Sequence, residues 1–549
     1  MSYGCVAYLR RCPVSLRPVM PADRTKRIAL IACILGSGIV FLDGTVVNVA
    51  LPSIRRGLGG GLADQQWIVE AYLLTLSSLL LVGGSLGDLF GRRRVFSAGL
   101  VGFGICSLMC ALAPTLGLLI GARAVQGMAG ALLVPSALAL IMDTFQEHER
   151  AAAIGTWTAW AGMATVIGPL GGGALIQIAS WRWVFAINLV PVLITLWMLR
   201  RLPDDIPAGG HVDIPGAILA AFGLCGPVFA LIEQPRYGWG APEVAVPLIA
   251  GVTLLGAFVA WERRAPEPML PLGLFRSRNF TVGNLTTLVV YAGLGTATFF
   301  LVLFVQQVGG YTPLDAGLSL LPVTLIMFAC SKRFGALADR FGPRAFMAAG
   351  PVLAGAGLLL LVRVGPGADY AGAVLPGIVV FGLGMSATVA PLTATVLGGV
   401  ELGRSGVASG VNNALARVAG LLAIAALGAV VSASFQDRLH DDLAGKPLSA
   451  QARAAVDRAA TRPLVVDVSG APAGERPILR LALTDASVHA FHVAMLIGAA
   501  LDVLGGMLAL IGIANPRRRV RSVECAGGAL AGASGDLATD SARPLARAR

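Results

Sequence analysis

The segment Gly84-Ser85-Leu86-Gly87-Asp88-Leu89-Phe90-Gly91-Arg92-Arg93 recurs as Gly335-Ala336-Leu337-Ala338-Asp339-Arg340-Phe341-Gly342-Pro343-Arg344, at a constant offset of 251 residues. Glycine, acid, aromatic, glycine and arginine keep both type and spacing, so the chain is built from two related halves. Each copy follows an apolar run long enough to cross a bilayer as a helix, which takes about 20 residues. Working outward from the two copies, fourteen such runs appear, the first near 28–52 and the last near 488–514. The first copy follows the second run and the second copy follows the tenth. Runs 1–6 and 9–14 are then equivalent halves, and runs 7 and 8 are an inserted pair. Two six-helix halves with a ligand site near the membrane midplane are one known way of using such a repeat.

Composition agrees. Of the 549 residues only 13% are charged and 56% are hydrophobic, where a soluble domain carries about 25% charged residues. That excludes a soluble enzyme and a nucleic-acid binder. The net charge of +12 is explained by arginines at helix ends. A β-barrel would alternate apolar and polar residues in short strands, and these runs are long and unbroken. Arg92–Arg94, Arg150, Arg200–Arg201, Arg263–Arg264, Arg276, Arg278, Arg340, Arg344 and Arg404 fall in alternate loops, with the N-terminal cluster and Arg517–Arg519 on the same side. The positive-inside rule places that side, and both termini, in the cytoplasm of a cell-membrane protein.

The expected architecture is an all-α membrane protein of 14 transmembrane helices. A cytoplasmic tail (1–27) precedes a six-helix half (28–199). The inserted pair with its loops (200–281) follows, then the second half (282–514) and a disordered cytoplasmic tail (515–549). The 433–487 loop is external by this count and long enough for a small cap or a lid. Eight cysteines show no C-x-x-C pair and form no disulfide framework. Five histidines have no metal-ligand spacing, and no phosphate-binding G-x-x-x-x-G-K-[ST] motif is present.

Further motifs point one way. The first run reads Leu42-Asp43-Gly44-Thr45-Val46-Val47-Asn48-Val49-Ala50-Leu51-Pro52. The fourth holds Arg123, Gln126, Gly127 and Gly130, and the fifth Gly168-Pro169 followed by Gly172-Gly173. Ser180-Trp181-Arg182-Trp183 leads to Asn188 in the sixth. Gln306, Gly310, Tyr311, Gly317 and Pro322 surround runs nine and ten, and Ser409, Asn412, Asn413 and Arg417 lie in run thirteen. In this order the motifs resemble the major facilitator superfamily, specifically its fourteen-helix drug:proton antiporter branch, over about residues 28–514. Leu89 and Ala129 depart from that pattern in the loop and in the fourth run. The resemblance implies the major facilitator fold and proton-coupled efflux. It also implies a proton relay containing Arg123, and a fifth-helix kink at Gly168, Pro169, Gly172 and Gly173 that seals one gate.

The residues carry their own reading. A carboxylate deep in a membrane helix is costly unless it pairs, meets water or takes a proton. Asp43 is such a group and the first candidate for proton coupling, with helix packing as the other reading. Glu70 shares a face with Ser77 and Gly84. It fits a second proton site, a counter-charge for a cation, or a solvated mouth residue. Asp502, on a face with Gly498 and Gly505, fits a proton site or a hydrogen-bonded packing acid. Asp88 and Asp339, with Gly84, Gly91, Arg92, Arg93, Gly335, Gly342 and Arg344, are expected to lock a cytoplasmic gate. Gln126, Asn413 and Arg417 are candidate cavity residues. Trp67, Tyr72, Trp157 and Trp160 are read mostly as packing or belt aromatics.

The expected function is proton-coupled efflux of amphiphilic drugs or antibiotics, by a monomer needing no cofactor or metal and no nucleic acid. Its partners would be the substrate, protons and the lipid bilayer. A dedicated exporter of one self-made metabolite or lipid is the nearer rival. A membrane-embedded enzyme is the distant one.

Overall fold

A computed structural model describes residues 22–203, 213–266, 268–400 and 405–515. The predicted tails, the N-terminal basic cluster, Arg404 and Arg517–Arg519 lie outside the described residues. The first bundle contains α1 (Ala22–Leu58), α2 (Leu62–Phe90), α3 (Arg92–Leu112), α4 (Leu116–Thr144), α5 (Glu147–Ile178), α6 (Trp183–Ala186) and α7 (Leu189–Leu199). The inserted hairpin is α8 (Ile214–Tyr237) and α9 (Pro242–Glu262). The second bundle contains α10 (Arg278–Gln307), α11 (Pro313–Ser319), α12 (Leu321–Phe341), α13 (Pro343–Leu361), α14 (Leu375–Gly398), α15 (Ser405–Leu443), α16 (Ala450–Ala460) and α17 (Arg476–Gly512).

Local chemistry sets these boundaries. Gly91 and Gly342 separate the helices at both copies of the loop repeat with φ of 95° and 94°, a region in which a side chain is strained. Thr115 caps α4 by accepting from the Leu118 amide, and Ser449 caps α16 by accepting from that of Ala452. Among the described residues eleven helices are long and apolar enough to span, or twelve with the bent α2 counted as one. The run at 151–178 is α5, and the run at 183–199 is broken between α6 and α7; both fall outside that count. The chain is thus an all-helical membrane protein of about this many spans, and the figure of fourteen is carried forward as a proposal.

Two boundaries differ from the sequence reading. Most of 433–487 is helical, because α15 runs on to Leu443, α17 starts at Arg476 and α16 lies between them. At 1.5 Å per residue α15 is about 58 Å long, well beyond a hydrocarbon core of about 30 Å. The continuation therefore stands outside the bilayer, as a cap built on Leu443, Ala452, Ala459, Leu464 and Val468, all part of the main apolar core.

Within the first bundle α4 packs on α2 and α3, and α5 on α1; in the second, α13 packs on α14 and α17, and α10 on α15 and α17. The hairpin is attached through α8, which lies on both α2 and α15. Only Val244, Gly251 and Glu262 of α9 are buried, so its remaining apolar surface faces lipid. Hydrogen bonds between described residues of the two halves cluster at the end away from the loop repeats. Gln306 Nε2 donates to the Val49 carbonyl (3.2 Å), Gln307 Nε2 to Gln65 Oε1 (3.2 Å) and Gln66 Nε2 to the Ile424 carbonyl (2.6 Å).

Candidate functional site

The first bundle buries one charged network at its centre. Asp43 lies on α1 about 32 Å from its start and 22 Å from its end, and is fully buried. Arg123 of α4, 1% exposed, donates through Nη1 to Asp43 Oδ2 and to Gln126 Oε1 (2.8 Å), and through Nε to the Ile68 carbonyl (3.1 Å). Its guanidinium lies over the Tyr72 ring at 4.1 Å, a cation–π contact. The other Asp43 oxygen accepts from Asn188 Nδ2 (2.8 Å) and Gln126 Nε2 (3.2 Å), and both amides also donate to Ser107 Oγ (3.0 and 3.1 Å). The acid is therefore held by one cation and one amide donor from α4 and a second amide donor from the α6–α7 break, with Ser107 of α3 accepting from both amides. The set can hold a charge inside the membrane, and it can release Arg123 if Asp43 takes a proton.

Sequence reasoning placed Asp43 and Arg123 but gave Gln126 to a cavity. Gln126 is fully buried with both ends of its amide engaged in this network. Asn188 and Ser107 were missed as members. Asn188 had been quoted only as a family match, and a neutral residue has no signal comparable to a charge in an apolar run.

Two further acids are fully buried: Glu70 on α2 and Asp502 on α17. None of their four carboxyl oxygens has a hydrogen-bond partner among the described residues. Glu70 is thus enclosed here and does not stand at a wet mouth. Asp502 sits in a slot made by glycine: a Cβ on Gly293 would lie 2.5 Å from its Oδ1, and one on Gly355 would lie 3.5 Å from its Cβ. Asn413 is exposed and donates back to the Ser409 carbonyl (3.0 Å), whereas its neighbour Asn412 reaches Asn284 (3.1 Å) and Thr287 (2.7 Å). Tyr72, Trp67 and Trp157 each donate to a fixed partner: the Val40 carbonyl, Glu233 and Ser37.

The loop copies differ. Arg92 binds Asp88 (2.9 Å) and also Asp143 of α4, while Arg93 donates to the Leu202 carbonyl (2.7 Å). In the second copy Pro343 stands where Arg92 would, and the exposed Asp339 has no ion pair among the described residues. Arg344 turns instead to the Leu510 carbonyl and to Asn515. Gly335 in the second copy approaches Ala390 of α14, as Gly84 in the first approaches Pro135 of α4.

The fifth-helix glycines act as seats. A Cβ on Gly168 would meet Thr45 and the Leu42 carbonyl, and one on Gly172 would meet Val46, so α5 lies directly against the α1 segment that carries Asp43. Gly173 and the Pro169 carbonyl meet Pro313, Leu314 and Gly317 of the other half.

This arrangement has known counterparts. Residues 33–424 match the Major Facilitator Superfamily. The chain belongs to that superfamily. Among the relatives of this facilitator, a puromycin resistance protein of Streptomyces alboniger is 36% identical over 78% of this chain and 86% of its own. The multidrug resistance protein Stp of Mycobacterium tuberculosis is 33% identical over 77% of this chain and 79% of its own. A tetracenomycin C resistance and export protein of Streptomyces glaucescens is 33% identical, covering 75% and 77% respectively. The fold matches that of a solved bacterial homologue of the human lysosomal transporter Spinster, with a TM-score of 0.61 at 16% identity over 91% of this chain and all of the other. The family and these relatives are transporters.

Proposed function

We propose that this facilitator is a proton-coupled exporter of amphiphilic drugs or antibiotics in the cytoplasmic membrane, working as a monomer of fourteen spans with both termini inside. The observation that carries the reading is the enclosed Asp43–Arg123 network. Protonation of Asp43 removes the partner of Arg123, which changes the charge balance between α1 and α4. Gly168 and Gly172 seat α5 on that stretch of α1, and Pro169 and Gly173 seat the same helix on α11. A shift at Asp43 is thereby passed to the contact between the halves. With the arginine-rich side inward, the halves meet at the outer end, so the substrate path opens to the cytoplasm in this state. Glu70 and Asp502 are further proton sites, and Asp88, Arg92, Arg93 and Arg344 belong to the inner gate. No cofactor, metal ion or enzymatic step is involved.

A second reading, a dedicated exporter of one self-made compound, is favoured by a specific observation. Two of the three relatives above are named for a single compound and one for many. Transport of a chemically diverse panel in an efflux-deficient host separates the two. Several unrelated substrates are expected for a drug pump, and export of one compound class alone would turn the assignment to the dedicated exporter.

A further inference from the structure

Arg417 is the cation that the Asp43 network leaves out. It lies on α15, about 18 Å along that helix, at the seam between the halves. Its guanidinium stands 5.5 Å from the ring of Phe41 on α1 of the opposite half, within electrostatic reach of Tyr72 of α2. Among the described residues it has no ion pair and no hydrogen-bond partner. The acids on the surrounding helices are otherwise placed. Asp43 is taken by Arg123, Glu233 by Trp67 and Asp485 by Arg438, and Asp502 is enclosed against Gly293. Glu70 lies one turn from Gln66, and Gln66 meets α15 at Ile424 and Gly428, two to three turns beyond Arg417. The two oxygens of Glu70 are themselves unpartnered, so it does not neutralise Arg417 in this state.

A guanidinium stays charged in protein, and at membrane depth it requires a carboxylate, a carbonyl or water. Among the described residues the protein brings neither of the first two to Arg417, which stays part-buried where α15 meets α1 of the other half. We propose that Arg417 anchors the acidic group of an amphiphilic substrate, a carboxylate, sulfonate or phenolate, whose apolar body lies against Phe41. The anchor adjoins the proton site. Phe41 is two residues from Asp43, and the Tyr72 ring near Arg417 is the one that covers Arg123 at 4.1 Å. An anion bound at Arg417 therefore acts on the same aromatic wall as the relay. The consequence is a preference for anionic over cationic amphiphiles.

This inference rests on the exporter reading, but its test needs no gradient. The full chain in maltoside micelles is titrated calorimetrically with naphthalene-2-sulfonate and with its trimethylammonium counterpart, which share one ring system. The wild type should bind the sulfonate more tightly. Arg417→Gln should weaken the sulfonate about tenfold or more, the loss expected when a hydrogen bond to a charged group is removed. Arg417→Lys should stay within about threefold, because the charge is kept while the planar fork is lost. Cation binding should be unchanged or improved in both. A thermal melt identifies any variant that is unfolded; if Arg417→Gln is, Arg417→Met carries the test, with the same selective loss of the sulfonate expected. Loss of both probes in parallel, loss of neither, a wild type indifferent to the sulfonate, or its displacement by phosphatidylglycerol would each overturn the proposal. None of these outcomes touches Asp43-dependent exchange, so failure of the anchor and failure of the exporter reading are separable.

Discussion

The two halves share a loop motif and a helical plan, yet they differ in how the core and the loop handle charge. The first half pairs Asp43 with Arg123 in the core and Arg92 with Asp88 and Asp143 at the loop, and leaves Glu70 as its one buried acid without a partner among the described residues. The second half pairs Arg438 with Asp442 and Asp485 in the extensions of α15 and α17, but leaves the charges of its core and loop bare. Among the described residues Asp502 is buried without a partner, Asp339 is exposed without an ion pair, and Arg417 has the Phe41 ring beside it but no ion pair. Repeat symmetry therefore fixes backbone and packing, but not the electrostatics. One half holds a poised ionic switch, and the other offers unpaired groups for which a ligand, or a proton, is the missing partner.

The largest effect that can break this contrast is on stability. Arg123→Leu strands Asp43 in the core and should cost about 3–5 kcal/mol, as losing one partner of a buried pair does. Adding Asp43→Asn to that variant should recover a good part of the loss, because residues in one network do not act additively. Asp502→Asn in the second half should change stability little or raise it, since no ion pair is lost. Melting of the four purified proteins in detergent reads all of this. A large loss in Asp502→Asn would mean that the second half hides a pair of its own.

The loops supply a smaller effect. Asp88→Ala should lower transport several-fold with normal membrane insertion, since it leaves Arg92 with one ion pair, to Asp143, and the Ala139 carbonyl. Asp339→Ala should lose less than about twofold. The pair itself is half-exposed and contributes little to stability, about 0–1 kcal/mol, so transport rate is the sensitive readout. Equal losses in the two variants would erase the difference between the copies.

The smallest effect concerns the cap. Asp467 is held below the usual aspartate range, first by hydrogen bonds from the Ser469 side chain and backbone and then by the positive charges of Arg462 and Arg55. A depressed folded value means that its contribution is fully present above the ordinary aspartate range near 4. It is lost as pH falls through the lower folded value. Protection of an engineered cysteine at Ala455 should therefore be flat from pH 8 to about 5 and decline only below about 4. A decline beginning near pH 6 would remove Asp467 from the docking of the cap.

How much of this was readable beforehand follows from the same physics. The bilayer permits only helices or closed barrels, so long apolar runs disclose the fold, and a charge within such a run stands out at once. Glu70 and Asp502 stand out on that signal alone, whereas Asp43 and Arg123 are also carried by the family resemblance. The extensions of α15 and α17 and the helix α16 were not, because hydropathy is silent outside the membrane. Asn188, Ser107 and Asp143 were missed as partners for another reason. Asn188 meets Asp43 across 145 residues of chain, and pairing at that distance is set by tertiary packing. The two loop copies already differ in sequence, since Pro343 in place of Arg92 removes the side chain that Asp88 uses.

The central claim is that Asp43 carries the proton. Its most direct test is Asp43→Asn reconstituted in liposomes, with substrate and proton flux recorded together under an imposed pH gradient. Asparagine keeps the volume and can still accept from Asn188, so fold and substrate binding should persist. The account predicts that gradient-driven export and the accompanying proton flux are abolished. Export at the wild-type rate with protons still moving would contradict it, and Glu70 or Asp502 would then be the carrier.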